Sequence, residues 1–277
     1  MMELHDPKFH MGQITAGEAR ELYAANPVIL LPMGSHEDQG PHGPMGDYLL
    51  AEKIAELIAI KATADGTRTV VAPVLPFGGA DFFGPMTGGI AVRSETLIAI
   101  ITDMIASLHR TGLTRIIVIN GHAGNVGPID EVTRGIYREK RVVIPSLYLW
   151  RIAYGLLPGL IGAEKAAKVS GHGADPLTSL GLHLMPELQR PDMVPAAAGL
   201  KRDPQLGLPF TTLGLASFDG IDVGMPHEYD ETFNDGVDKG DPNLSSAETG
   251  QVLTDKLVDV VSRFIAHFAE KTPPASA

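Results

Sequence analysis

The chain has 277 residues, 44% hydrophobic and 20% charged, with a formal net charge of -11 and no cysteine. An acidic balance without a basic cluster argues against nucleic acid or an anionic membrane surface as partner. No apolar run reaches the ~18 residues of a membrane helix, and without thiolates any metal must be held by His, Asp and Glu. The opening Met-Met-Glu-Leu-His-Asp has no basic and apolar signal pattern, so cytoplasm is the expected compartment. No Ser/Gly linker, charge block or low-complexity tract interrupts residues 28–270. The expectation is therefore one domain over residues 1–277 with a large core.

In chain order, residues 1–27 read as an N-terminal arm with a short helix around Ala16–Ala25. Val28-Ile-Leu-Leu-Pro32 is an apolar run of strand length. It leads into Met33-Gly-Ser-His-Glu-Asp-Gln-Gly-Pro-His-Gly-Pro-Met-Gly-Asp47. There Glu37, Asp38, Asp47, His36 and His42 are spaced by Gly40, Pro41, Gly43, Pro44 and Gly46. Leu49, Leu50, Ile54, Leu57 and Ile58 then recur at helical spacing to about Ala62. A buried strand thus delivers a rigid polar loop from which a helix departs. Carboxylates and imidazoles gathered there suit Zn²⁺ or Mn²⁺. The plainer alternative is a solvated loop in which Asp47 caps the helix.

Thr69-Val-Val-Ala-Pro73 is a second strand, and residues 76–89 form a long Gly-rich loop carrying Phe82, Phe83 and Met86. Loops of that length in a compact domain are commonly functional. Ser94 is placed to cap a helix to about His109, with Leu97, Ile98, Ile101, Ile105 and Leu108 on its apolar face. Arg115-Ile-Ile-Val-Ile-Asn120 is a third strand running into Gly-His-Ala-Gly-Asn125, followed by a helix from about Ile129 to Glu139. Val142–Leu149 reads as a fourth strand ending at Trp150, the only tryptophan. A covering segment leads to Ser170-Gly-His-Gly-Ala-Asp-Pro-Leu-Thr-Ser179 and a further helix to Pro186. Residues 187–244 are irregular and rich in Pro and Gly. Ser245-x-x-Glu248 is a capping box opening the last long helix. Strand–helix alternation of this kind predicts an α/β, three-layer sandwich: a mostly parallel central sheet with helices on both faces.

Three strand-to-helix junctions therefore carry His or acid, at 34–47, 120–125 and 171–175. A parallel sheet presents such junctions along one edge, where ligand sites form. A lone His122 would more often be a hydrogen-bonded structural residue, but its place between Gly121 and Gly124 lets backbone approach whatever the imidazole holds.

These junctions resemble the motifs of the creatininase (creatinine amidohydrolase) family, in order and over nearly the whole chain. Gly34-Ser-His-Glu-Asp-Gln-Gly-Pro-His-Gly-Pro44 with Asp47 is similar to its Gly-Ser-x-Glu-Gln-His-Gly-Pro-His-Leu-Pro followed by Asp. Asn120-Gly-His-Ala-Gly-Asn125 is similar to Asn-Gly-His-Gly-Gly-Asn, and His172-Gly-Ala-Asp-Pro-Leu-Thr-Ser179 to His-Ala-Gly-x-x-Glu-Thr-Ser. The segment from Gly236 to Gly250 resembles its Gly-Asp-Pro-x-x-Ala-Ser-Ala-Glu-x-Gly. The resemblance implies a metal-dependent hydrolase of cyclic and linear amides. It implies metal ligation by Glu37, Asp47 and His122, a catalytic role for Glu37, and a histidine beside the substrate at His172. It also implies a homo-oligomer, commonly a hexamer.

The departures from the pattern are as informative. A second-metal histidine falls on Gln39, and acidic positions of some members fall on Gly124 and Leu177. One or two ions per chain remain open: Asp175 is the nearest acid able to replace Leu177, and His42 or His36 the imidazole able to replace Gln39. His42 alternatively supports the site from behind. Asn120, Gly121 and Trp150 are the expected substrate contacts, Trp150 and Tyr154 either stacking on a planar ring or packing in the core.

The expected reaction is hydrolysis of a non-peptide C–N bond in a small, preferably cyclic, amide or amidine by metal-activated water. His172 would pass a proton to the departing nitrogen; in the plainer alternative it only hydrogen-bonds Asp175 or a backbone carbonyl. Two rival expectations are an inactive small-molecule-binding or scaffold protein on the same fold, and a deformylating or peptide-trimming hydrolase.

Overall fold

The structure, a computed structural model, describes residues 8–84, 86–195, 206–212, 214–226, 236–237 and 239–272. The first seven residues of the expected arm, and much of the expected irregular segment, lie outside the described residues.

Four parallel strands make the central sheet: β1 (Val28–Met33), β2 (Thr69–Val71), β3 (Ile116–Asn120) and β4 (Ser146–Tyr148), in the order β2-β1-β3-β4. All six residues of β1 are buried, as are all five of β3, which is why they read as unbroken apolar runs rather than alternations. Period-two geometry then sorts their side chains. Leu30, Ile117 and Ile119 enter the core on one face, and Ile29, Leu31, Ile116 and Val118 the core on the other.

The first face is covered by α2 (Asp47–Ala64), α5 (Leu149–Ile161), α6 (Ala163–Val169), α7 (Leu177–Leu184) and α8 (Ala247–Lys271). The second is covered by α3 (Ser94–Arg110) and α4 (Val126–Lys140), with α1 (Ala16–Ala24) at its margin. The helix α2 alternates large and small on its buried stripe, Leu50, Ala51, Ile54, Ala55, Ile58, Ala59 and Ala62. The alanines let its backbone lie close to the sheet while the larger residues interlock. Ile54, fully buried, is worth about 2–5 kcal/mol against alanine at such a position.

Several element boundaries differ from those expected, for local reasons. Asp47 is the first residue of α2 rather than its cap; Gly46 is the cap, and the Asp47 carboxylate is engaged elsewhere. Ser94 begins α3 after Arg93 as cap, and Ser246, not Ser245, caps α8 by accepting from the Thr249 N–H. The fourth strand is cut to three residues because helix α5 starts at Leu149 and takes in Trp150.

The described part of the stretch expected to be irregular holds a second sheet, antiparallel, of β5 (Phe210–Thr212), β6 (Leu215–Phe218) and β7 (Ile221–Gly224). Phe218 pairs with Ile221 across Asp219-Gly220. Both turn residues have positive φ, 47° and 82°, as a two-residue hairpin turn of type I′ requires.

The chain runs from β1 out to β2, then returns across β1 to β3, so the order reverses between β1 and β3. Met33 and Asn120, the last residues of those strands, are register partners. A crevice beyond the carboxyl ends of two such strands is where open α/β sheets bind ligands.

Candidate metal centre

Glu37 follows β1, His122 follows β3, and Asp47 starts the helix that leaves the first loop. Their ligand atoms all lie within 4.8 Å of one another. His122 Nδ1 stands 3.1 Å from Asp47 Oδ2 and 3.2 Å from Glu37 Oε1. All three side chains are buried. Among the described residues no other group of three such donors comes together.

Each ligand is held from behind. The Ser35 N–H donates to Asp47 Oδ1 at 2.6 Å, and Gln39 Nε2 donates to Glu37 Oε1 at 3.1 Å. His122 Nε2 lies 3.0 Å from the Gly79 carbonyl. A carbonyl can only accept, so Nε2 carries the proton and Nδ1 is the nitrogen presented to the carboxylates. This is the arrangement by which an outer partner fixes the tautomer of a metal-binding imidazole. The junction after β3 is braced by Asn120, whose Oδ1 accepts from the His122 N–H and whose Nδ2 donates to the His122 carbonyl. Asn125 ties all three loops, donating to Gly34 O and accepting from the Gly79 N–H.

Gly124 has a steric reason. A Cβ there would run into the Gly79 carbonyl and stand 2.7 Å from His122 Nε2. The glutamate implied at this position for some family members is thus replaced by a backbone carbonyl that orients the imidazole.

Two carboxylates share this pocket with one imidazole and no lysine or arginine among its close partners. Burial pushes the Asp47 carboxyl up to about 7 against the attraction of His122, with the Glu37 charge adding to the rise. Burial alone would lower the His122 pKa, but the charges of Glu37 and Asp47 and their hydrogen bonds outweigh it and hold His122 well above its ordinary value. Burial, with the same two carboxylates, also raises Tyr148 and keeps it a neutral phenol. A net negative, proton-retaining cluster of two oxygens and one nitrogen fits a divalent cation of the Zn²⁺ or Mn²⁺ kind.

The cluster lies on the wall of a cavity of about 370 Å³. Phe82, Phe83, Tyr148, Trp150 and Tyr154 supply its aromatic surface, with His172, Leu177 and Lys239 also on the wall. The His172 ring stacks on Phe83 with centroids 4.7 Å apart, and its Nε2 donates to the Asp38 carbonyl at 2.6 Å. Trp150 is fixed by its indole N–H, which donates to the Gly121 carbonyl.

The structure does not bring every expected residue here. Asp175 is fully buried but turned to the start of α7, where its Oδ1 accepts from the Ser179 N–H at 3.0 Å. His42 is bound through Nε2 to Thr178 Oγ1 at 3.1 Å, and burial lowers its pKa. Neither residue joins the three-residue cluster, nor does His36. Asn120 and Gly121 are not on the cavity wall; their polar groups shape the turn and hold Trp150. Conversely, Tyr148 and Lys239 line the cavity without having been singled out. Tyr148 had a legible signal, since it ends a parallel strand at the ligand-binding edge.

Known proteins can now be set beside this geometry. A mycofactocin precursor peptide peptidase of Mycobacterium ulcerans is 26% identical over 191 residues, 67% of this chain and 70% of that protein. The corresponding peptidase of Mycobacterium tuberculosis is 26% identical over 137 residues, 47% of this chain and 54% of that protein, so the match spans about half its length. A 3-dehydro-scyllo-inosose hydrolase of Thermotoga maritima is 32% identical over 111 residues, 39% of this chain and 34% of that protein. In fold, a candidate creatinine amidohydrolase of Bacteroides fragilis superposes with a TM-score of 0.78 at 22% identity, covering 98% of this chain and 100% of the other. A manganese form of creatininase and a creatininase variant of Zn-Zn type each superpose with a TM-score of 0.72 at 22% and 23% identity, each covering 97% of this chain and 100% of the other. The model of the creatininase family, described as creatinine amidohydrolase, matches residues 12–265, and the chain belongs to that family.

Proposed function

We propose that this protein is a metal-dependent amidohydrolase that cleaves a non-peptide C–N bond of a small, cyclic amide or amidine. The carrying observation is the convergence of Glu37, Asp47 and His122 within 4.8 Å on the wall of a cavity large enough for a small molecule. The metals in the manganese and Zn-Zn creatininase structures support Zn²⁺ or Mn²⁺ as the ion here. One ion per chain is the reading favoured by Gln39, which spends its N–H₂ on Glu37, and by the apolar Leu177 and the diverted Asp175.

When bound, the cation lowers the pKa of a water towards neutrality and polarises the carbonyl under attack. The protein's own groups do the rest. Glu37, steadied by Gln39, accepts a hydrogen bond from the attacking water as well as holding the ion. Tyr148, kept neutral, offers an O–H to charge developing on the carbonyl oxygen. His172 is held in register by Phe83 and by the Asp38 carbonyl. Because Nε2–H is committed to that carbonyl, any proton it gives the departing nitrogen passes through Nδ1. Trp150, Tyr148 and Tyr154 form flat walls suited to a planar ring.

A second reading, peptide trimming, has the peptidase activity named for the mycobacterial relatives in its favour. The test is one panel of cyclic amides, formamides and short peptides offered to protein loaded with Zn²⁺ or Mn²⁺. Turnover of a cyclic amide that stops with chelator and returns with metal is expected. Chelator-insensitive turnover would sink the metal claim, and turnover of peptides alone would replace the substrate claim.

A further inference from the structure

Lys239 is the one lysine or arginine among the residues lining the cavity, where Glu37, Asp47 and His122 are the coupled ionisable cluster. It is exposed, and among the described residues no carboxylate lies within ion-pair distance of it. A cation on the cavity wall with no ion-pair partner among the described residues is placed to meet a ligand's charge.

Its place there is built in. Gly236, Val237, Gly240 and Asp241 are packed against the two loops that frame the cavity. A Cβ on Gly236 would run into Asp38 Oδ1 and stand 2.7 Å from the Gly40 nitrogen. A Cβ on Gly240 would run into the Val169 carbonyl and stand 2.7 Å from Ala174 Cβ. Val237 is buried, and the Asp241 N–H donates to the Lys168 carbonyl at 2.9 Å. Glycine at both positions lets the strap lie flat on the first loop and on the segment carrying His172, which sets Lys239 on the same wall as Ser170, Gly171 and His172.

We propose that Lys239 recognises a carboxylate on the substrate, so that the preferred substrate class is a small amide bearing one anionic group away from the scissile bond. A carboxylate is favoured over phosphate because a single ammonium would leave a phosphate dianion half neutralised. An ammonium on a four-carbon stem is a flexible point-charge partner, matched to a group whose charge is fixed while its exact position varies. The inference rests on the hydrolase reading for what the cavity is for, but its test does not need turnover.

The probes are hydantoin-5-acetate and hydantoin-5-acetamide, which share a ring and differ in charge. Their binding to zinc-loaded full-length protein is measured by calorimetry at low and moderate salt. The acetate is expected to bind about 10-fold tighter or more, the size of a charge-assisted hydrogen bond. That advantage shrinks with salt, disappears in Lys239→Gln and survives in Lys239→Arg. Because Lys239 is exposed, both variants are expected to fold, which their circular dichroism checks. Equal binding of the two probes, no binding of the acetate, or an advantage that persists in Lys239→Gln overturns the proposal; persistence would put the carboxylate on the metal instead. Binding with this pattern but without hydrolysis of either ring would keep the carboxylate site and count against the cyclic-amide reading alone.

Discussion

Two groups of buried histidine and acid are put to different use, one at the ends of β1 and β3 and the other including Asp175 of the 171–175 segment, which joins α6 to α7 rather than following a strand. In one, Glu37, Asp47 and His122 turn their ligand atoms on one another, with Gln39, Ser35 and Gly79 steadying them from behind. In the other, His42 is spent on Thr178 and Asp175 on the first turn of α7. Residue type is the same and burial is the same. What differs is where the polar atoms are directed: the first three converge on one another, while His42 and Asp175 each bond α7 through one atom and leave the other, His42 Nδ1 and Asp175 Oδ2, without a hydrogen-bond partner. A cluster that keeps two carboxylates against one imidazole has charge left over for an ion. His42 and Asp175 do not converge with a third donor, and each anchors α7 instead. A buried histidine or aspartate in a loop is therefore not enough to name a ligand; convergence of its free atom with other donors is.

Breaking the first group should have the largest effect. Glu37→Gln removes a ligand charge with little change of shape. Activity on whatever amide the panel identifies is expected to fall about 1000-fold or more, the scale of several kcal/mol of transition-state stabilisation. Metal content falls with it while circular dichroism is unchanged. Wild-type turnover in this variant would mean that Glu37 is not a ligand.

The cluster's protons give the next effect. Asp47 is raised to about 7, against about 3.9 in an unfolded chain. Between those values the folded, metal-free protein binds more protons than the unfolded one. Its stability is therefore full below about pH 4 as far as this group goes, and is lost as the pH rises through about 7. A divalent cation takes the proton's place, so metal should raise the melting temperature more at about pH 8 than at about pH 5.5, and metal uptake near neutrality should release protons. Calorimetry in buffers of different ionisation enthalpy reads that release; none would contradict the coupled cluster.

The second group should respond in the opposite way. Asp175→Ala is expected to cost about 1–2 kcal/mol through the lost bond to the start of α7. His42→Ala should cost about 1–3 kcal/mol, by removing the buried imidazole and one of the two hydrogen bonds of Thr178 Oγ1. Because burial lowers the His42 pKa, its contribution to stability is full above the ordinary histidine value and is lost as the pH falls below that value and through the lowered folded one. Neither change should alter metal content. A lost equivalent of metal in either variant would erase the distinction between the groups.

Much of this was legible in the chain. The apolar runs of β1 and β3, the helical stripes between them and the His- and acid-bearing junctions gave the parallel sheet and the loops that meet at its edge. Glu37, Asp47 and His122 could be named because two remote stretches, 34–47 and 120–125, each lead from a strand's end to a helix. Asp175 and His42 could not be separated from them by residue type, since their hydrogen bonds to Ser179 and Thr178 depend on where α7 packs. Asp219-Gly220 is a hairpin signal flanked by Phe218 and Ile221, and it was masked by the Pro and Gly around it. Lys239 carried no pattern of its own. Its position depends on the close approach of Gly236 to Asp38 and Gly40, which no periodicity encodes.

The most direct measurement is an anomalous-difference map at the zinc edge from crystals grown with Zn²⁺. The account predicts one strong peak about 2.0–2.2 Å from His122 Nδ1 and from oxygens of Glu37 and Asp47, with none at His42 or Asp175. No peak among those three residues, or a peak ligated by His42 or Asp175, would contradict it.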